Sequence, residues 1–351
     1  MSLEPANPSL RPPIRVAING YGRIGRNMLR ALYQGREHGS NRDVQLVAIN
    51  DLGSAESLLH LTRYDTTHGR FNTAVTLLDD NTLQVNGDRV RLLRIEDPAQ
   101  CPWAELNVDL VLECTGIFRA YADAGLHLQA GAKRVIIGAV AFDDVDCTFV
   151  YGVNHQQLNA EHKVVSSASC TTHCIAPLLQ IMDASFGVKQ VFMTEIHSYT
   201  SDQVLLDHVH RDLRRGRAGA QNLIPTTSSS IGAVQKVLPQ LAGKIDGYSM
   251  RVPTQNVAAV DLTLMLDHKV TSADAIHQVM RQASIGSYKG IVGYCDEPLV
   301  SADFLGRTES AIYDETQTII SNEMVKIVAW YDNETGFAYR LLDLVERFAA
   351  L

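Results

Sequence analysis

Two groups of residues in this chain have the types and spacing to do chemistry. The first is Gly20-Tyr21-Gly22-Arg23-Ile24-Gly25, which follows the apolar run Val16-Ala17-Ile18-Asn19 and opens a helical stretch. G-x-G-x-x-G between a strand and a helix is a dinucleotide fingerprint, although alone the pattern also describes a plain structural turn. Gly20 permits the tight turn, Gly22 lets the backbone approach a diphosphate with no Cβ in the way, and Gly25 lets helix and strand pack. The N–H groups at the helix start, from Arg23 and Ile24, face the diphosphate where the helix dipole favours negative charge. Asn50-Asp51 ends the next strand. An Asp51 carboxylate there bonds ribose hydroxyls and repels a 2′-phosphate, which predicts NAD over NADP. Its distance from Gly25 exceeds the usual spacing of about 20 residues, and the polar stretch Gly35 to Asp43 accounts for the longer connection.

The second group is Ser166-Ser167-Ala168-Ser169-Cys170-Thr171-Thr172-His173-Cys174. It follows a strand and opens a helix, so Cys170 sits where the dipole lowers a thiol pKa, and a thiolate near neutral pH is predicted. The bland alternative for a single cysteine is a small buried hydrophobe. Cys170 and Cys174 lie one helical turn apart, but C-x-x-x-C without a second cluster is poor evidence for zinc, and no metal is expected. Pro177 predicts a kink or a late regular start to the helix. His197 lies on the strand Gln190 to Thr200, on the same side as Glu195 and Tyr199. It is the candidate base for the cysteine, against the default of a satisfied core histidine. His208 and His210, within the charged stretch Asp207 to Arg217, read as a solvated loop.

These residues need a scaffold, and the rhythm of elements supplies one. Before about residue 165, apolar runs recur at Ile14 to Asn19, Val44 to Asn50, Val108 to Cys114, Arg134 to Ile137, Thr148 to Val153 and Lys163 to Val165. With helical stretches such as Arg26 to Gln34 between some of them, they predict a doubly wound α/β domain of Rossmann type over residues 14–169. The four prolines before Ile14 predict an extended tail over residues 1–13. Later strands alternate: Gln190 to Thr200, Tyr248 to Arg251, Val257 to Leu266 and Lys326 to Trp330. They predict an α+β domain over 170–333 with a mostly antiparallel sheet and helices such as Ser272 to Gln282. In the closing segment 334–351, Phe337, Leu341, Leu344, Val345 and Phe348 form one apolar stripe, so that helix must dock.

Composition narrows the functional classes. The chain has 351 residues, 46% apolar, 20% charged and 7% aromatic, which describes a compact soluble protein. Lys plus Arg (31) against Asp plus Glu (39) gives a net charge of -8, without the basic excess of a nucleic-acid surface. No run approaches the roughly 20 apolar residues of a membrane span, and the N-terminus has no apolar stretch behind a basic start. Six scattered cysteines fit reduced thiols in a cytoplasm better than a disulfide framework.

Seven stretches in register resemble the phosphorylating glyceraldehyde-3-phosphate dehydrogenases from about residue 14 to 348. They are Asn19 to Arg26, Tyr64 to Phe71, Glu113 to Gly116, Ser167 to Cys174, Ile196 to Gln203, Arg251 to Thr254 and Trp330 to Glu334. The resemblance implies that Cys170 attacks the aldehyde to give a thiohemiacetal, that hydride transfer to NAD leaves a thioester, and that inorganic phosphate releases an acyl phosphate. It implies that His197 takes the thiol proton, and that Thr200 and Arg251 hold the substrate phosphate with Asp202 orienting the arginine. It places the attacking phosphate at Ser169, Thr171 and Ser228 with neighbouring backbone, including Ser229, and gives the nicotinamide carboxamide to Asn333. It implies a homotetramer, with the loop Tyr199 to Gln221 near a neighbour's cofactor and the last helix packed on the first domain.

The sequence departs from the family at His173 (Asn), Gly138-Ala139-Val140 (Ser-Ala-Pro), Ser228-Ser229 (Thr-Gly), Thr335 (Trp) and His208-Val209 (Leu-Pro). His173 either tunes the thiol or merely fills the Asn position. The alternative within the same resemblance is erythrose-4-phosphate dehydrogenase, towards which Asp212 to Arg215 and Thr316 to Thr318 lean. The threonine at Thr200, which those enzymes tend to lack, favours the triose. A non-catalytic NAD-binding regulator is the alternative from another class, against which Cys170, His197, Thr200 and Arg251 stand together.

Overall fold

The computed structural model describes residues 12–37 and 43–351. The tail over residues 1–13 therefore falls almost wholly outside the described residues, as does most of the Gly35 to Asp43 connection.

Among the described residues the first sheet is built from short, buried runs: β1 (Ile14–Asn19), β2 (Val44–Asn50), β5 (Val75–Asp79), β6 (Thr82–Val85), β7 (Asp88–Leu93), β8 (Leu110–Glu113), β9 (Arg134–Ile137), β10 (Cys147–Thr148) and β11 (Val164–Ser166). β3 (Tyr64–Asp65) and β4 (Gly69–Arg70) form a separate ribbon. The strand order is β10-β11-β9-β8-β1-β2-β7-β6-β5, parallel from β10 to β7 and antiparallel beyond. α1 (Arg23–Glu37), α2 (Ala55–Arg63) and α3 (Tyr121–Gln129) connect them. The chain leaves β1 towards β2 and returns on the other side at β8, so a switch point opens at the carboxyl ends of β1 and β8, where such sheets bind ligands. The Thr148 to Val153 run is a strand only at Cys147–Thr148, because the Asn154 side chain bonds Thr148 O and Val150 N and turns the chain.

α4 (Cys170–Phe186) leads into the second sheet: β12 (Val188–Ser198), β13 (Ile224–Thr226), β14 (Ile245–Val252), β15 (Ala258–Leu266), β16 (Val292–Cys295), β17 (Ala311–Ser321) and β18 (Met324–Tyr331), with α5 (Ser230–Val237) and α6 (Ala273–Ile285) as connections. In the order β13-β14-β12-β15-β18-β17-β16, the pairs β12/β14 and β16/β17 are parallel and the rest antiparallel. The long excursion through α5 allows the parallel β12/β14 pairing, which no tight turn can make. Along β12, Val191, Met193, Glu195 and His197 are buried, while Phe192 and Ile196 face out. That two-residue alternation places the histidine on the face covered by α4.

α7 (Thr335–Ala349) closes the chain. Its stripe Phe337, Leu341, Leu344, Val345 and Phe348 is buried in one cluster with Val16 and Ile18 of β1 and Met28, Leu29 and Leu32 of α1. α4 begins at Cys170 and is helical through Pro177, so the late start does not occur. The Ser169 hydroxyl accepts from Thr172 N and caps the first turn, which fixes the start ahead of the proline.

Candidate active site

The glycine turn is built by close approach. Gly20 has φ +90°, and a Cβ there would lie 2.6 Å from Thr115 N; a Cβ on Gly25 would lie 2.4 Å from Gly20 O. Gly22 faces open space, with nothing within 4 Å of where its Cβ would stand. Asp51 Oδ2 accepts from Tyr21 N at 2.8 Å and Oδ1 from Gly53 N at 2.9 Å, so the carboxylate braces the turn. Beneath it Glu113, buried at the end of β8, accepts from Asn19 at 2.6 Å, from Thr115 N at 2.8 Å and from His127 Nε2 at 3.1 Å. Trp103 donates to His127 Nδ1 at 3.0 Å, which fixes that tautomer.

A cleft of about 1320 Å³ runs from this turn to the second domain, bordered by Arg23, Ile24, Cys170, His197, Arg251 and Asn333 among others. An open glycine edge at one end and a thiol at the other fit a bound dinucleotide. Arg23 spans Asp65 at 2.5 Å and Glu334 at 2.5 and 2.7 Å, and His68 Nε2 meets Glu334 at 2.7 Å. Glu334 also accepts from Asn27 at 3.1 Å, which ties the start of α7 to α1. Next to it, the buried Asn333 accepts from Ser198 at 3.2 Å. Sequence reasoning did not single out Asp65, His68 or Glu334 for this network, although all three lie inside the quoted motifs.

At the far end of the cleft, Cys170 Sγ lies 3.6 Å from His197 Nε2. β11 delivers the cysteine through Ala168, which takes a left-handed φ of +55°. That turn is pinned by Ser166, which accepts from Ala168 N at 3.0 Å, and by His173 Nε2, which bonds Ser167 O at 2.9 Å. β12 delivers the histidine, which is 3% exposed. Two partners compete for its Nδ1: the Ser198 carbonyl at 2.7 Å, which needs a proton there, and Arg251 Nη1 at 2.8 Å, which needs the lone pair. Only the first arrangement leaves Nε2 free as a base towards sulfur.

Several expectations are corrected. Cys170 is not held as a thiolate in this resting site: burial foremost, then the Glu195 charge, pushes the thiol up to about 12 against the pull of Arg251. Burial and then Arg251 push His197 down to about 4, opposed by Glu195 and by the Ser198 carbonyl. The resting pair is thus thiol and neutral imidazole. Asp202 does not orient Arg251; it pairs with Arg215 at 2.8 Å and His210 at 3.6 Å, because the 199–221 loop folds back on itself. His210 is accordingly half-buried and accepts from Asp212 N at 2.9 Å, whereas His208 is exposed. Thr171 borders the cleft, but its hydroxyl is committed to Glu195 and Tyr331, both at 2.7 Å. His173 is buried and pushed down to about 3, by desolvation first, and packs edge-on against Phe337. A neutral imidazole turned towards Ser167 O places no charge on the thiol.

The other named residues border the same cleft. Ser169 meets Thr172 at 2.7 Å and Ser230 at 2.9 Å, Ser228 accepts from Ser230 N at 3.3 Å, and Ser229 and Thr200 line the wall. All six cysteines are free. Among the described residues no three His, Cys, Asp or Glu side chains gather as a metal site, and no helix is long and apolar enough to cross a membrane.

A glycine turn at a sheet's switch point, opening into a cleft that ends on a cysteine and histidine, defines the class: a dinucleotide-linked oxidoreductase working through a thiol. A family model for the NAD binding domain of glyceraldehyde 3-phosphate dehydrogenase matches residues 14–121, and the model for that enzyme's C-terminal domain matches 169–333. Among similar proteins, the plasmid glyceraldehyde-3-phosphate dehydrogenase of Cupriavidus necator is 49% identical over 330 residues, covering 94% of this chain and 97% of its own. Glyceraldehyde-3-phosphate dehydrogenase 1 of Bacillus cereus is 48% identical over 332 residues (94% and 97%), and the Pseudomonas aeruginosa enzyme 49% over 337 (96% and 98%). The chain belongs to the glyceraldehyde-3-phosphate dehydrogenase family.

Proposed function

We propose that this enzyme oxidises glyceraldehyde 3-phosphate with NAD and inorganic phosphate to 1,3-bisphosphoglycerate. The observation that carries this reading is the 3.6 Å approach of Cys170 Sγ and His197 Nε2 at the foot of a cleft that begins on the glycine turn. With its Nδ1 proton on Ser198 O, His197 takes the thiol proton at Nε2 as sulfur bonds the aldehyde carbon. The imidazolium N–H then faces the oxygen that gains charge. Gly20 to Gly25 and Asp51 would hold NAD, with Asn333 at its carboxamide, and the bound dinucleotide would supply the hydride acceptor; loss of hydride from the thiohemiacetal carbon leaves a thioester on Cys170. A phosphate oxygen then attacks the thioester carbon, the C–S bond breaks, and an acyl phosphate departs.

In this reading Arg251 and Thr200, which both line the cleft, hold the substrate phosphate. An anion that draws Arg251 away from His197 Nδ1 also selects the tautomer that catalysis needs. Ser169, Ser228 and Ser229 are left for the attacking phosphate, since the Thr171 hydroxyl is occupied. The division of labour follows the two sheets: residues 14–169, completed by 334–351, carry the cofactor, and 170–333 carry the chemistry. We read the assembly as a homotetramer, supported by apolar residues on the outer face of the second sheet, and the free cysteines support work in the cytoplasm.

NADH formation tests the reading. It is expected with glyceraldehyde 3-phosphate and to depend on inorganic phosphate. Faster NADH formation with erythrose 4-phosphate would reassign the substrate, and none with either sugar would make the chain a binder.

A further inference from the structure

Beneath the reacting pair lies a carboxylate that the chemistry above does not use. Glu195 is two residues before His197 on β12 and is 2% exposed. Its Oε1 accepts from the Thr171 hydroxyl at 2.7 Å, and that oxygen is 2.7 Å from Tyr331 OH. A carboxylate only accepts, so the protons run Tyr331 to Thr171 to Glu195. The other oxygen, Oε2, is buried with no hydrogen-bond partner. A half-satisfied buried carboxylate is costly, and a neutral side chain would fill the same space without that cost. What it faces explains the charge: Oε1 lies 3.9 Å from His197 Nε2, the nitrogen that also faces the thiol.

We propose that Glu195 is the counter-charge of His197 once its Nε2 has taken the Cys170 proton, and sets the pH range in which that proton is held there during turnover. Glu195 acts through His197 and touches no reacting atom, so it is a positioning residue. The proposal rests on the reading of Cys170 and His197 as the reacting pair. His197 is surrounded by Cys170 from α4, Glu195 from its own strand, Arg251 from β14, Tyr331 from β18 and Glu334 ahead of α7. Arg251 lowers the basicity of His197, while Glu195 and Glu334 raise it. When the thiol proton moves to Nε2, the S–H bond breaks and an N–H bond forms. The new cation then meets a carboxylate at contact distance, which offsets the arginine on its other side. Glu195 also opposes ionisation of the thiol, so a negative charge at this spot raises both groups together.

The test is the pH dependence of two rates, iodoacetamide alkylation of Cys170 and turnover of glyceraldehyde 3-phosphate, in the full-length enzyme and in Glu195→Gln. Removing one negative charge at this range moves both limbs of each profile to lower pH by about one unit. Alkylation below the acid limb then speeds about tenfold, and turnover above the upper limb drops about tenfold as the imidazolium is lost. Glu195→Asp, which keeps the charge but withdraws it, shifts the limbs less and in the same direction; if the Gln variant does not fold, the Asp variant carries the test. Limbs at their wild-type positions, with only amplitude or unfolding temperature changed, would overturn the proposal. Wild-type enzyme whose turnover survives complete alkylation would instead overturn the Cys170–His197 reading itself.

Discussion

Cys170 shows how far a residue's chemistry is decided by what the fold adds to it. A cysteine at a helix start reads as a thiolate from sequence, because the dipole is legible in the pattern of strand, serine cap and helix. Burial and the charge of Glu195 are not legible there, since both depend on β12 lying beneath α4. The same holds for His173, which stands at the family's asparagine position and is locked neutral against Ser167 O and Phe337. Its consequence is for stability. Its folded pKa, about 3, lies below the ordinary histidine value, so the unfolded chain binds a proton that the native state refuses. This residue leaves stability untouched above about pH 6.5, and each unit below that costs about 1.4 kcal/mol until the folded pKa is reached. His173→Asn removes the dependence. Acid unfolding followed by circular dichroism should show a lower midpoint pH for the variant, and an unchanged midpoint would mean that this histidine titrates normally.

At the scale of elements, the glycine turn separates two functions that the motif runs together. Gly25 has no room for a Cβ, while Gly22 has open space where its Cβ would stand. Gly25→Ala is expected to destabilise the fold by about 1–3 kcal/mol through overpacking. Gly22→Ala should keep the wild-type unfolding temperature and lose NAD affinity at least tenfold, because a methyl group stands where the diphosphate must approach. Calorimetric unfolding and NAD titration of both variants check this, and equal NAD affinity in Gly22→Ala and wild type would remove the cofactor from that turn. β1, β2 and β9 were legible with their bounds because each is a short, near-continuous apolar run flanked by turn residues. β5, β7 and β17 are not legible: they carry charged and polar residues on an exposed face, as in Asp88-Arg89-Val90-Arg91, and resemble surface loops in sequence. The pairing of β12 with β14 in parallel was equally hidden, since alternation gives the faces of a strand and not its neighbours.

For the whole molecule, the apolar stripe of the last helix was enough to demand a partner, and that helix lies on α1 and β1. The sequence could not show that Arg23 is held between Asp65 and Glu334, three residues far apart in the chain that join the cofactor turn to the start of α7. Among the described residues, the outer face of the second sheet carries exposed apolar side chains. Phe192, Ile196, Tyr248 and Met265 are 57%, 39%, 45% and 39% exposed on the adjacent strands β12, β14 and β15. An apolar sheet face of this kind marks an association surface. Light scattering should give four times the chain mass, and Phe192→Asp should lower it; a monomer at micromolar concentration would contradict the tetramer.

The central claim is that oxidation proceeds through a covalent bond to one sulfur. Mass spectrometry of enzyme given glyceraldehyde 3-phosphate and NAD without inorganic phosphate reads this directly. The account predicts an acyl adduct on the peptide carrying Cys170, absent from Cys170→Ser and discharged when phosphate is added. NADH formed with no adduct on Cys170 would contradict it.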